Sequence, residues 1–352
     1  MRSENPFTLT FGQKPMEFIS RTEQIGNIIQ TFDMEAPSSK VYMIAGVRGS
    51  GKTVSLTEIA EHYDAKSNWI VLRLSADTDL IAGAISEIKR ISEFHHLDLG
   101  LNINLGVAEF TLNTGRDSVE KDAELRNLLE KLKEQGKRVL FIIDEIVNNP
   151  YVKIFVSCFQ IYITNNYPVY LVMAGLYDNI SNLQNEKSLT FLYRAPKVFL
   201  EPLSIPAMTT SYRTVFDISM EEAVSMAKLT KGYPFAFQIL GYLKWETNAP
   251  LEKILPKFDE QLTIYAYEKI WSELSELDQK VVYVISTGII KTGEIREKLA
   301  ISPQLLNVYR KRLMERGVVD GSRHGELSLA LPRFEVYISL YCEIVTVQNP
   351  LS

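Results

Sequence analysis

The chain has 352 residues, 46% of them hydrophobic; at roughly 100–200 residues per domain it can fill two or three cores. A formal net charge of −5 excludes a surface that attracts nucleic acid as a whole, and leaves only a local basic patch for that role. Cys158 and Cys342 stand in no metal or disulfide spacing, and no apolar run approaches the ~18 residues of a membrane span, which reads as a reduced, cytoplasmic protein with inert thiols.

From the N-terminus, short β-branched runs alternate with amphipathic stretches of helix length through residue 204. The strand candidates are 40–45, 69–74, 139–143, 169–174 and 197–200. This alternation predicts an α/β domain with a parallel sheet covered on both faces. The first strand runs into 46–53, GVRGSGKT, and then into a helical stretch, TVSLTEIAEHY. Gly46, Val47, Arg48, Gly49, Ser50, Gly51, Lys52 and Thr53 satisfy the phosphate-loop pattern G-x-x-x-x-G-K-[ST]. Its glycines let successive backbone N–H groups face phosphate oxygens at the positive end of a helix. Lys52 reaches the β- and γ-phosphates, and the Thr53 hydroxyl is a ligand for Mg²⁺.

Residues 97–112, LDLGLNINLGVAEFTL, alternate apolar and polar with period two, which predicts a β-hairpin insertion. Asp117 or Ser118 is then expected to cap a charged helix ending at Gly136. The next strand, VLFII, ends in Asp144-Glu145. At the carboxyl end of a buried strand, Asp144 can hold Mg²⁺, mostly through water, while Glu145 orients and deprotonates an attacking water. Together with the phosphate loop this pattern predicts an ATP hydrolase taking ATP or ADP with Mg²⁺.

Helical periods follow over 205–270, interrupted at Gly232-Tyr233-Pro234 and at Pro250. The aromatics Phe258, Tyr265, Tyr267 and Trp271 are spaced to face a core. From 271 to 352 the pattern is helix (273–286), helix (293–299), helix (303–316), a glycine-flanked turn and an extended segment, as in a winged helix. In the third of these helices Leu305, Leu306, Tyr309 and Leu313 form the inward stripe, and Gln304, Asn307, Arg310 and Lys311 are left outside. Over 302–325 five arginines and lysines face two acids, a local excess of three, so DNA contact through Gln304, Asn307, Arg310, Lys311 and Arg323 is one expectation.

The phosphate loop, the Asp-Glu strand end and the segment FISRTEQIGNII (18–29) resemble the AAA+/STAND class of P-loop ATPases, in the branch near archaeal and bacterial origin-recognition-like proteins. The resemblance implies a parallel-sheet P-loop NTPase core over 1–204, a helical lid over 205–270 and a winged helix over 271–352. It also implies that the segment around Arg21 lies against adenine, although Ser20 replaces the family's glycine and Thr22 is inserted before Glu23. Arg194, in FLYRAP, falls where the family often carries an arginine finger. Tyr233 and Pro234 resemble the family turn that brings the lid to the nucleotide. Two departures stand out. The fourth strand ends in Ala174-Gly175 where a polar sensor is usual, and Phe235 occupies the place of a sensor arginine. They imply slow hydrolysis, hence a nucleotide switch, as a monomer or a nucleotide-dependent oligomer. The alternative output is a protein-interaction switch in which the winged helix is a latch and binds no DNA.

Overall fold

The computed structural model describes residues 4–10, 12–94 and 116–342. The chain divides into two compact units. One comprises Arg21–Ala45 and Lys52–Val198; the other gathers Met1–Ser20, Gly46–Gly51 and Phe199–Ser352.

The first unit runs α1 (Thr22–Asp33), β1 (Val41–Ala45), α2 (Lys52–Asp64), β2 (Trp69–Ser75), α3 (Leu80–Phe94), α4 (Arg116–Glu134), β3 (Arg138–Asp144), α5 (Pro150–Thr164), β4 (Val169–Gly175), α6 (Tyr177–Gln184), a 3₁₀ turn at Thr190–Arg194 and β5 (Lys197–Phe199). Its five strands lie in the order β2-β3-β4-β1-β5, and β1–β4, β4–β3 and β3–β2 are parallel. β1 and β4 are buried along their whole length, which is why their sequences are continuous apolar runs rather than alternations. Met43, Phe141, Leu171, Met173 and Val156 belong to one core on the sheet. Pro150 opens α5 behind Asn149, whose side chain accepts from the Val152 N–H. The order places β4 between the strand that precedes the phosphate loop and the strand that ends in Asp144.

All five predicted strands are present with ends shifted by a residue or less. The α4 helix already begins at Arg116, so neither Asp117 nor Ser118 is its cap. The hairpin expected at 97–112 lies outside the described residues.

The second unit continues with α7 (Ile205–Phe216), α8 (Met220–Leu229), α9 (Pro234–Thr247), α10 (Leu251–Leu262), a π turn at Thr263–Tyr267, α11 (Glu268–Ser272), α12 (Glu276–Ser286), α13 (Thr292–Leu299), α14 (Pro303–Glu315), β6 (Val319–Asp320), β7 (Ser328–Leu329) and α15 (Phe334–Tyr341). Ser204, Ser219, Ser275 and Ser302 cap the helices they precede, as Ser before a helix predicts. The N-terminal segment packs here: Phe7 is buried against Tyr212, Phe216 and Phe237, and a Cβ on Gly241 would lie 2.4 Å from the Phe7 ring. β6 and β7 form an antiparallel pair behind α14.

Two details differ from the sequence pattern. Phe258 and Tyr267 are buried, but Tyr265 is exposed, because the π turn breaks the 3.6-residue spacing of this stretch. Both cysteines are half-buried and free. Among the described residues no helix is long and apolar enough to cross a membrane.

Candidate nucleotide site

The loop 46–53 needs each of its glycines for a separate reason. Gly49 and Gly51 have φ of +74° and +87°, the left-handed region that side chains disfavour. A Cβ on Gly46 would stand 2.4 Å from the Ser50 hydroxyl. The Ser50 N–H donates to the Val47 carbonyl at 3.1 Å, closing the turn. Helix α2 then starts at Lys52 with no acidic side chain in its first turn, so the positive end of the helix is not neutralised from within.

In the sheet-bearing unit, Thr53 and Asp144 meet. The Thr53 hydroxyl donates to Asp144 Oδ2 at 2.5 Å, across 91 residues of sequence. Asp144 Oδ1 accepts the Glu145 backbone N–H at 2.8 Å, so both carboxylate oxygens are oriented. A hydroxyl beside a carboxylate is the hard oxygen donor set that suits Mg²⁺. Glu145 is exposed and has φ of 49°, a conformation rare for a residue with a side chain and concentrated at functional positions. After it the chain turns back: the Ile146 N–H donates to the Ala174 carbonyl at 2.8 Å. A Cβ on Gly175 would lie 2.7 Å from Ile146 Cγ2 and 3.1 Å from its carbonyl oxygen. At Gly175, the last residue of β4, there is therefore no room for a side chain.

In the other unit, the loop Gly46–Gly51 is held by three C-terminal positions. Tyr233 is buried, and its hydroxyl donates to the Arg48 carbonyl at 2.5 Å. Burial pushes that hydroxyl well above the usual phenol range, with nearby Arg48 working the other way, so it stays a donor. A Cβ on Gly49 would collide with the Tyr233 hydroxyl at 2.4 Å and with Phe235 Cβ at 2.9 Å. Arg48 Nη2 lies 3.7 Å from Glu273 Oε1, and Arg48 Nε is buried without a hydrogen-bond partner. Val47 packs on this unit's core, and a Cβ on Gly317 would lie 3.5 Å from its side chain.

Comparison with solved structures identifies the fold. The chain is similar to the Walker-type ATPase PABY2304 of Pyrococcus abyssi, with a TM-score of 0.63 at 16% identity over 92% of this chain and 97% of that one. It is also similar to the Aeropyrum pernix ORC2 protein in its ADPNP–ADP complexes, with a TM-score of 0.59 at 15% identity over 94% and 96% of the two chains. The chain has the fold of an origin-recognition-like P-loop ATPase. A family described as a domain of unknown function (DUF8462) matches residues 265–338. No curated protein matches the chain.

The remaining candidates fall in different surroundings. Arg21 is the half-buried residue that precedes α1, and Arg194 ends the 3₁₀ turn on an exposed face. Pro234 is the first residue of α9. Gly232 before it has φ of +76°, and a Cβ there would meet the Leu203 carbonyl at 2.7 Å, so the turn admits only glycine.

The α14 helix departs from its expected faces. Leu306 and Leu313 are buried, but Leu305 is 39% exposed and Val308 59%. Gln304, Asn307 and Lys311 point to solvent as expected. Arg310 does not: it is half-buried, and its Nη2 donates to the Gly321 carbonyl at 2.9 Å. Arg312 reaches Asp278 at 2.6 Å and lies over the Tyr309 ring at 4.4 Å, while Arg316 approaches the same carboxylate at 3.4 Å. Arg323 is exposed and stands 3.9 Å from Glu326. Asp278 is fully buried, and it also accepts from the backbone and hydroxyl of Ser275 in a capping box. The sequence did carry a signal for it, Ser275-x-x-Asp278 ahead of an apolar run. No local pattern pointed to Glu273.

Proposed function

We propose that the chain binds ATP and ADP with Mg²⁺ on the loop 46–53 and hydrolyses ATP slowly, as a nucleotide switch. The observation that carries this reading is the Thr53–Asp144 hydrogen bond, which joins the end of the phosphate-loop motif to the acidic strand end. Lys52 is assigned to the β- and γ-phosphates and the loop's N–H groups to the phosphate oxygens. Thr53 and Asp144 would hold Mg²⁺, which supplies charge neutralisation at the phosphates when bound. Glu145, exposed just past the strand, is assigned to orienting and deprotonating the attacking water. Arg194 is proposed to stabilise charge on the transferred phosphoryl group, from its own chain or a neighbour's, and Arg21 to lie at the adenine. Tyr233 and Pro234 act on the nucleotide through the loop that Tyr233 grips. The apolar end of β4, Ala174-Gly175, supports slow turnover, since neither residue offers a polar group to the γ-phosphate. The Aeropyrum pernix ORC2 protein, solved with ADPNP and ADP, supports the choice of ligand.

Within this reading residues 205–270 serve as a lid and 271–352 as a winged helix that reports the nucleotide state. The engagement of Arg310, Arg312 and Arg316 inside the fold favours a protein partner over DNA for that report. The exposed residues of α14 are Pro303, Gln304, Leu305, Asn307, Val308, Lys311 and Met314, a mixed apolar and polar face with one cation. The test is equilibrium binding of ATP and ADP with Mg²⁺ together with single-turnover hydrolysis, on wild type, Lys52→Ala and Glu145→Gln. The expected pattern is slow hydrolysis by wild type, binding lost about tenfold to hundredfold in Lys52→Ala, and binding without hydrolysis in Glu145→Gln. A wild-type protein that binds no nucleotide would overturn it.

A further inference from the structure

The motif leaves three non-glycine residues of the phosphate loop unspecified: Ser50, whose N–H closes the turn, and the adjacent pair Val47 and Arg48. Both members of the pair are turned toward C-terminal residues of their own unit. Val47 packs on that unit's core, and the Arg48 carbonyl is fixed by Tyr233 at 2.5 Å. That leaves the Arg48 guanidinium as the loop's adjustable part. It is about one-third exposed, it faces Glu273 at a distance too long for a hydrogen bond, and its Nε has no partner although it is buried. Glu273 is itself shared: the same Oε1 lies 3.6 Å from Lys269 Nζ. An arginine has five donors in a planar fork that suits phosphate better than a single carboxylate oxygen. Arg48 is thus poorly satisfied where it stands, in a loop whose motif binds polyphosphate.

We propose that Arg48 is a latch sensitive to the terminal phosphate, its guanidinium shared between Glu273 and the γ-phosphate of a nucleoside triphosphate, so that triphosphate binding frees Glu273. This rests on the reading of the loop as an ATP site. Glu273 lies between α11 and the capping box that starts α12, and the Arg316 side chain donates to its backbone carbonyl. Release of its carboxylate therefore acts where the chain enters α12 and leaves α14. By reciprocity, whatever holds Glu273 on Arg48 weakens triphosphate binding by the same factor. ADP has no phosphate at the γ position and competes less.

The experiment is a double-mutant cycle read by equilibrium binding of ATPγS and ADP with Mg²⁺, on wild type, Arg48→Ala, Glu273→Ala and the double variant. Glu273→Ala is expected to tighten ATPγS binding about two- to fivefold, the worth of a half-exposed ion pair, with a smaller change for ADP. In the Arg48→Ala background the same substitution is expected to change ATPγS affinity at least twofold less, only general charge repulsion remaining. Equal effects in both backgrounds, or none in wild type, would overturn the latch. Should Arg48→Ala bind neither nucleotide, wild-type amide exchange over 268–278 decides: faster exchange with ATPγS than with ADP is expected, and identical exchange overturns the proposal. Failure of the ATP-site reading is distinguishable, because then wild type binds neither nucleotide and Lys52→Ala changes nothing.

Discussion

Asp144, at the end of β3, and Asp278, in the first turn of α12, are both held in one orientation by hydrogen bonds, yet their neighbours differ in kind. Asp144 is half-buried and accepts from the Thr53 hydroxyl and the Glu145 backbone N–H, both uncharged donors. Asp278 is fully buried between Arg312 and Arg316 and also takes both donors of Ser275. A carboxylate with neutral partners at an open strand end still has charge to offer a metal. One between two guanidinium groups has none, and it removes two arginines from the surface as well. The same residue type is thus left available to a ligand in one region and committed to the fold in the other. The surroundings decide, more than the sequence motif.

The largest effect expected is on chemistry near Asp144. Glu145→Gln should lower the single-turnover rate of ATP hydrolysis by about 10²–10⁴ with nucleotide affinity little changed, as for loss of a general base. Next, Asp278→Ala leaves two guanidinium groups without their carboxylate, and should cost about 2–4 kcal/mol in urea unfolding. Asp144→Asn should cost less than about 1 kcal/mol. Equal costs would break the distinction between the two aspartates.

Gly49→Ala comes third. Its φ of +74° and the approach of Tyr233 predict a loss of about 1–3 kcal/mol, seen as weaker nucleotide binding and a lower melting temperature. Substituting Tyr233→Phe as well removes the hydroxyl clash, and should recover part of it. The smallest effect concerns α14. DNA binding by wild type should be weak, with a salt slope no steeper than about −2, and Lys311→Ala with Arg323→Ala should flatten it by about that amount. A slope near −6 would mean that the arginines leave Asp278 and Gly321 to meet phosphate.

How much of this was legible in the sequence follows from the same contrast. The loop 46–53 and the strand end at Asp144 could be read locally, because phosphate binding demands glycines and a lysine at fixed spacing, and a buried strand demands an apolar run. The five strands followed for that reason. The face of α14 was harder. Helical period alone left Arg310 outside and Leu305 inside, since nothing near 310 in the chain announces Gly321 or the buried Asp278 that draws in Arg312 from 34 residues away. Tyr265 was misjudged because a π turn changes the period without changing the composition. Glu273 was invisible, being an ordinary acid in a charged stretch whose partner, Arg48, lies far upstream.

The measurement that bears most directly on the candidate site is the Mg²⁺ dependence of ATP affinity in wild type and in Thr53→Ala. Thr53 and Asp144 as the metal-holding pair predict that Mg²⁺ tightens ATP binding to wild type, and that Thr53→Ala loses most of that increment while keeping its Mg²⁺-free affinity. An increment unchanged in Thr53→Ala, or absent from wild type, would contradict the account.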